Sequence, residues 1–513
     1  MRSDALLHCF GYALAALLSI VAVASEPISL AVGENGTFVD QHQRVRIFHG
    51  VNVVYKLFPY VPSTDAFDPF DSFSEEDARL LWSNGMNLIR LAVMWPGVEP
   101  QRSVRNQSYI EQIRKIVTLS AAYNISVILE FHQDLLSEAY CGEGIPQWAT
   151  YTDRSMHFPF PLGWQDVIPL QLNLGDDHTP PFALGSDGRP SRSDCDRFYW
   201  SQFTYSALVA AGYQQFYTNW NGTRDAFVNH WKFVASSFLQ HENVLGYEIM
   251  NEPFPGDFWK NFELVLPTPT TSQLPDRALI APFMDVVARA IYSVDPSRVV
   301  FWTGNVVTDV APVGFDEVPG GKTRASHSAL VYHYYSTNHP NLEPFVDQRI
   351  QDSRRLGCAS ILTEFDLGAP ERAQVMDLMD KQHQSWAAWQ YKRYAPITGW
   401  SWGFFNEDGS QNLSVQRALA RIYPEAVSGI LVSYAYDPDS RTFEMSFWAS
   451  PEIAMPTRIR VPPSQYAGRF QVAASAAASP TQDGLHHELS EWGVQIWYSG
   501  QTVQLVQVIV TPE

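Results

Sequence analysis

Cysteine is scarce, with four in 513 residues, and one of them, Cys9, sits in an apolar leader. That excludes a disulfide-built scaffold. No CxxC or HExxH spacing occurs, so the sequence implies no bound metal. Positive charge is also short: 35 Lys and Arg stand against 54 Asp and Glu, a net charge of −19. Such a chain lacks the basic footprint of a nucleic-acid partner and does not favour anionic membrane surfaces. Beyond residue 24 no stretch approaches the ~20 apolar residues of a spanning helix, so no transmembrane segment is expected. Internal repeats and Gly-rich phosphate loops are missing as well. Aromatic side chains, by contrast, are plentiful: 16 Trp, 23 Tyr and 30 Phe, which suits a substrate gripped by ring faces.

Arg2 precedes an apolar run from Leu6 to Ala24 that closes on Ala22-Val23-Ala24. Residues 1–24 read as a secretory signal, with an uncleaved anchor as the alternative. Asn-x-Ser/Thr triplets begin at Asn35, Asn106, Asn124, Asn221 and Asn412. Together they predict a glycoprotein that passes through the secretory pathway to an extracellular or lysosomal destination. Cys141 and Cys195 lie in one irregular region and are candidates for a disulfide, while Cys358 reads as a buried thiol.

Eight apolar, β-branched runs punctuate the chain, at 44–53, 86–95, 125–134, 244–253, 298–305, 329–336, 360–368 and 397–405. Nearly continuous apolar runs belong to parallel strands covered on both faces. Amphipathic helical patterns at 109–123, 224–241, 277–294 and 371–392 fall between them, and Ser74-x-x-Asp77 resembles a capping box. This predicts an α/β fold, a (β/α)8 TIM barrel over 25–425, with an open doubly wound sheet as the alternative. Residues 135–221 interrupt the rhythm with aromatics including Trp148, Phe158, Phe160, Trp164, Phe182 and Tyr199. They form either a substrate wall at the barrel mouth or a core of their own. After Pro424 short alternating runs predict an antiparallel β-sandwich over 426–513, which supports the barrel or approaches a lipid surface.

Function in a barrel gathers at the carboxyl ends of its strands. Those ends carry Arg90, then His132, Gln133 and Asp134, Asn251 and Glu252, His333 and Tyr335, Glu364, and Trp402. Polar groups closing apolar strands are costly unless they are bonded or used. Ion pairing explains any one of them; their joint appearance points to a site. Glu252 and Glu364 supply the two carboxylates that glycoside hydrolysis requires, one to protonate the leaving oxygen and one to attack carbon or activate water. Asn251 is placed to bond a sugar 2-hydroxyl, Tyr335 to orient Glu364, and Trp402 to offer a flat face to the sugar.

This ordered set resembles glycoside hydrolase family 5 of clan A over about residues 40–425. The resemblance implies retention of configuration, with Glu252 as acid/base, Glu364 as nucleophile and no cofactor. Within that family the chain looks most like endoglycoceramidases, which cleave the bond between oligosaccharide and ceramide. The features are the run from Gly50 to Lys56, Phe131-His132-Gln133-Asp134, Ile145-Pro146-Gln147-Trp148 and Arg421-Ile422-Tyr423-Pro424. The likeness implies that Lys56 and Asp134 bond the glucose next to ceramide. It implies a glycosphingolipid or other β-glucoside as substrate, and dependence on a detergent or activator. Thr363 and Asp366, flanking the Glu364-Phe365 pair, depart from the family pattern and add a charge near the nucleophile.

The alternatives are a β-glucosidase acting on glucosylceramide or sterylglucoside, an endo-β-glucanase, and a non-catalytic glycolipid-binding protein. Gly399-Trp400-Ser401-Trp402-Gly403 also matches the G-x-S-x-G elbow of esterases, but an elbow leads into a helix and a loop pattern follows here.

Overall fold

The computed structural model describes residues 28–33, 36–153, 156, 185–186, 188–198, 200–266, 268, 271–307, 311–394, 403–466, 469–476, 484–490 and 492–513. The apolar leader, Asn35, Trp402 and Phe158, Phe160, Trp164, Phe182 and Tyr199 of the insertion lie outside these.

The chain enters through three two-residue strands, β1 (Ala31–Val32), β2 (Phe38–Val39) and β3 (Val45–Arg46). Eight parallel strands then close a barrel: β4 (His49–Val53), β5 (Leu88–Ala92), β6 (Ser126–Glu130), β7 (Val244–Glu248), β8 (Val299–Trp302), β9 (Ser328–Tyr334), β10 (Ala359–Phe365) and β11 (Ser385–Ala388). β11 closes the ring by pairing with β4, Trp386 opposite His49 and Ala388 opposite Val51. All positions but His333 in these strands are buried, the physical reason the runs read as continuous apolar sequence.

Alternation stacks the barrel interior in layers. Leu88, Ile128, Phe301, Val331 and Ile361 fill its lower part, and the Phe38 ring joins them 6.2 Å from Phe48 and from Phe301. Two residues further along their strands, the same interior face presents Arg90 and Glu130 in place of Leu88 and Ile128. Apolar packing therefore supports a charged layer just below the mouth.

Three expectations change here. The barrel's eighth strand is Ser385–Ala388, while residues 397–402 of the strand expected over 397–405 lie outside the described residues, and the helix expected over 371–392 ends at Lys381. Ser385-Trp386-Ala387-Ala388 fits a helical period as well as a strand, so the pattern hid it. The break is the left-handed backbone of His383 (φ 53). The run 44–53 also divides: Val45–Arg46 leaves the barrel and pairs with a C-terminal strand.

That strand is β12 (Tyr423–Val427). It joins β15 (Thr457–Arg460), β18 (Gly493–Tyr498) and β17 (Leu485–Ser490) with β1, β2 and β3 in one antiparallel sheet. The facing sheet holds β13 (Gly429–Asp437), β14 (Thr442–Ala449), β19 (Gln504–Pro512) and β16 (Phe470–Ala476). The C-terminal sandwich thus takes strands from the start of the chain. It meets the barrel where the strands begin: His49 is stacked between Trp386 (4.3 Å) and Tyr423 (3.8 Å). Packing support, at the end opposite the mouth, is what this contact provides.

The predicted capping box is present, with Asp77 accepting from the Ser74 amide at 2.6 Å and from its hydroxyl at 2.9 Å. Cys141 and Cys195 form a disulfide and Cys358 is a buried free thiol. Among the described residues no helix is long and apolar enough to cross a membrane.

Candidate active site

Arg90 organises the charged layer. Its Nε donates to Glu248 Oε2 at 2.7 Å, its Nη1 to Asn52 Oδ1 at 2.9 Å and to Glu364 Oε1 at 2.7 Å, and its Nη2 to Asn251 Oδ1 at 2.9 Å. Glu130 Oε2 lies 3.1 Å from Nη2. A guanidinium is suited to this because its donors fan out in a fixed plane. Burial raises the pKa of Glu248, whereas at Glu130 burial is outweighed by Arg90 and His132 and the pKa falls.

Glu252 and Glu364 stand above this layer. Glu364, next to last in β10, is nearly buried, and both its oxygens are held: Arg90 donates to one, and the Tyr335 hydroxyl to the other at 2.7 Å. Glu252 follows β7 and is more open, its side chain 25% exposed against 5% for Glu364. Its Oε1 lies 2.7 Å from His333 Nδ1. One oxygen of each carboxylate and a His333 ring nitrogen all lie within 4.8 Å of one another. Burial pulls the His333 pKa down, but Glu364 and Glu252 outweigh it and the pKa is raised. The shift favours the imidazolium form, whose charge offsets the repulsion between two neighbouring carboxylates.

The rim carries a second cluster. Lys56, just past β4, pairs with Asp134, just past β6, and its Nζ lies 2.8 Å from Glu143 Oε1. His132 donates from Nδ1 to Glu130 at 2.9 Å, and its Nε2 is 3.6 Å from Asp134. Burial disfavours its charged form, but Glu130 and Asp134 prevail and raise its pKa to about 10. The structure thus brings together Lys56, Arg90, His132, Asp134, Asn251, Glu252, His333, Tyr335 and Glu364 at one end of the barrel.

Trp402 lies outside the described residues. The residue that follows the eighth strand is Trp389. Its ring stacks on His132 at 5.3 Å and sits 5.2 Å from Lys56 Nζ, so it borders both clusters. Glu143 was also missed. It reaches Asp134 through a two-stranded backbone bridge, Asp134 N–H to Glu143 O at 3.1 Å and the return bond at 2.8 Å. No local pattern marks it, although Gly142 does: a Cβ there would lie 1.9 Å from Asp134 O.

The described part of the insertion packs a core. Trp148 meets Trp95 at 5.3 Å, Tyr213 meets Phe254 at 5.5 Å and Phe216 meets Phe227 at 5.3 Å.

Burial and the adjacent Asp134 carboxylate raise the Glu143 pKa to about 7, against the pull of Lys56. A carboxyl raised in the fold stabilises fully below its unfolded value and loses that contribution as pH rises through its folded value. Glu143→Gln should therefore gain on the parent between about pH 4.5 and 7, by on the order of 3 kcal/mol in chemical unfolding. A difference that stays flat with pH would show Glu143 to be ionised throughout.

Paired carboxylates at the mouth of an eight-stranded barrel define a glycoside hydrolase. The chain belongs to glycosyl hydrolase family 5: the family's cellulase model matches residues 62–158 and 201–406, and the family 5 C-terminal domain model matches 421–505. It is similar to the endoglycoceramidase of Cyanea nozakii, 35% identical over 426 residues, 81% of this chain and 80% of the relative. It is equally similar to the endoglycoceramidase of Hydra vulgaris, 35% identical over 435 residues, 84% of this chain and 80% of that one. Among solved structures, endo-glycoceramidase II from Rhodococcus sp. shares the fold, with a TM-score of 0.67, 21% identity and coverage of 93% of this chain and 99% of the other.

Proposed function

We propose that this chain is a secreted, retaining glycosidase that cleaves the β-bond between oligosaccharide and ceramide in glycosphingolipids. The observation that carries the mechanism is the carboxylate spacing: one oxygen of each lies within 4.8 Å of the other. Retaining enzymes hold the two groups about 5–5.5 Å apart, while inverting ones leave about 6.5–9.5 Å for a water. Glu252, the more open group, gives its proton to the ceramide oxygen as the bond to the sugar carbon breaks and Glu364 bonds that carbon. Glu252 then takes a proton from the water that displaces Glu364. Lys56, Asp134 and Glu143 present donors and acceptors to the glucose hydroxyls beside the scissile bond. The ceramide assignment draws on the two relatives that bear the endoglycoceramidase name.

The same reading sends the chain through the secretory pathway as a glycoprotein, to the cell exterior or the lysosome. The disulfide suits an oxidising compartment. A water-insoluble aglycone makes activity depend on a detergent or an activator.

Incubation with a ganglioside and with glucosylceramide, followed by product analysis, tests this. Intact oligosaccharide plus ceramide is the expected result. Glucose released from glucosylceramide alone would replace the endo reading with a glucosidase, and turnover of β-glucan alone would make the chain an endoglucanase.

A further inference from the structure

We infer that Gln133 and Tyr213 are positioning residues for the Glu252 carboxyl, acting through the backbone that carries it. The inference rests on Glu252 being the acid/base. Gln133 is buried between His132 and Asp134, and its amide is fully used. Nε2 donates to the carbonyls of Asn251 at 2.7 Å and Glu252 at 2.9 Å. Oε1 accepts from the Leu136 amide at 2.9 Å and the Tyr213 hydroxyl at 2.7 Å. In return Asn251 Nδ2 donates to the Gln133 carbonyl at 3.0 Å. The loops after β6 and β7 are therefore bolted together at the residue that carries the proton donor.

The bolt matters because Glu252 sits in the left-handed region, φ 34, which disfavours any residue with a Cβ. Two carbonyls held by one amide keep that conformation from relaxing. Gln133 has no room to retreat: a Cβ on Gly144 would lie 2.5 Å from its own Cβ. Tyr213 lies on the helix Ala207–Tyr217, within the insertion, so the insertion reaches the proton donor as well as packing a core. Glu364 is fixed separately by Arg90 and Tyr335. Loosening Gln133 should misplace the acid and spare the nucleophile.

Leaving-group dependence separates these. Gln133→Met keeps the shape and removes the bonds; Tyr213→Phe removes a single hydroxyl. With Gln133→Met, kcat/KM for an alkyl β-glycoside should fall about 10²-fold, while a dinitrophenyl β-glycoside, whose leaving group departs unprotonated, should stay within about threefold. Azide, which attacks the glycosyl-enzyme without a base, should raise kcat of this variant on the dinitrophenyl substrate. Tyr213→Phe should show the same selectivity at about tenfold on the alkyl substrate, and it decides the matter should Gln133→Met not fold. Equal losses on both substrates would overturn the inference and leave Gln133 a purely structural residue. Glu252→Ala is the control: if it too loses both substrates equally, the acid/base reading falls, and this inference with it.

Discussion

Replacing Glu364 by Gln is expected to lower kcat about 10⁴-fold or more, equivalent to ~5.5 kcal/mol of transition-state stabilisation. The fold should survive. The amide oxygen still accepts from Arg90, and the Tyr335 hydroxyl still has a hydrogen-bonding partner in the amide. What is lost is the anionic oxygen that must bond carbon. An amide cannot form the glycosyl ester, and the other two carboxylates that face Arg90, Glu130 and Glu248, lie fully buried below the mouth. Two measurements check this. Steady-state turnover of an aryl β-glycoside should collapse while the thermal unfolding midpoint stays near that of the parent. Incubation of the parent enzyme with a fluorinated, slowly released glycoside should add one sugar to the peptide containing residue 364. Parent-like turnover in Glu364→Gln, or label on a different peptide, would remove Glu364 from the mechanism.

The two candidate catalytic carboxylates were legible because they sit where a general rule could find them. Glu364 and Glu252 end continuous apolar runs, and polar residues at such points stand out against their neighbours. The carboxylates of the charged layer beneath, Glu130 and Glu248, were not singled out. Val127-Ile128-Leu129-Glu130 and Leu245-Gly246-Tyr247-Glu248 each finish on a carboxylate, and only the closed barrel shows that both face Arg90. Trp389 was hidden by period ambiguity, since the four residues before it suit a helix or a strand equally. Glu143, and the role of Gln133 though not its place at a strand end, were beyond reach for another reason. Their roles depend on which backbone atoms a loop brings within 3 Å, and side-chain pattern carries no record of that. The N-terminal strands illustrate the long-range version: Val45 and Arg46 pair with Val427 and Ala426, a contact set by the folded chain as a whole.

Arg90→Met is expected to cost ~3–5 kcal/mol of stability, because breaking a buried ion pair leaves uncompensated charge in the interior. Arg90 is 0% exposed and its guanidinium faces Glu130, Glu248 and Glu364 at once. Methionine fills much of its volume, so the cavity contribution is small and the electrostatic one dominates. The pH dependence then has a definite sign. Without the guanidinium, the folded-state pKa of Glu248, already raised by burial, climbs further, and that of Glu130 loses the larger of its downward pulls. A carboxyl raised in this way stabilises below its unfolded pKa and loses that contribution as pH rises through the folded one, so the deficit of Arg90→Met should widen from pH 5 to pH 8. Urea midpoints at the two pH values measure it. A second substitution separates stability from function. Arg90→Met with Glu248→Met removes the charge that Arg90 contacts most directly and should recover a large part of the lost stability. It should not recover turnover, because Glu364 still lacks the hydrogen bond that holds its Oε1, and Asn251 the one that holds its Oδ1. A single-variant cost below about 1 kcal/mol, the range of exposed pairs, would mean that water reaches the layer and screens it. Recovery of turnover in the double variant would mean that Arg90 serves only to balance charge, with Tyr335 alone sufficient to aim the nucleophile.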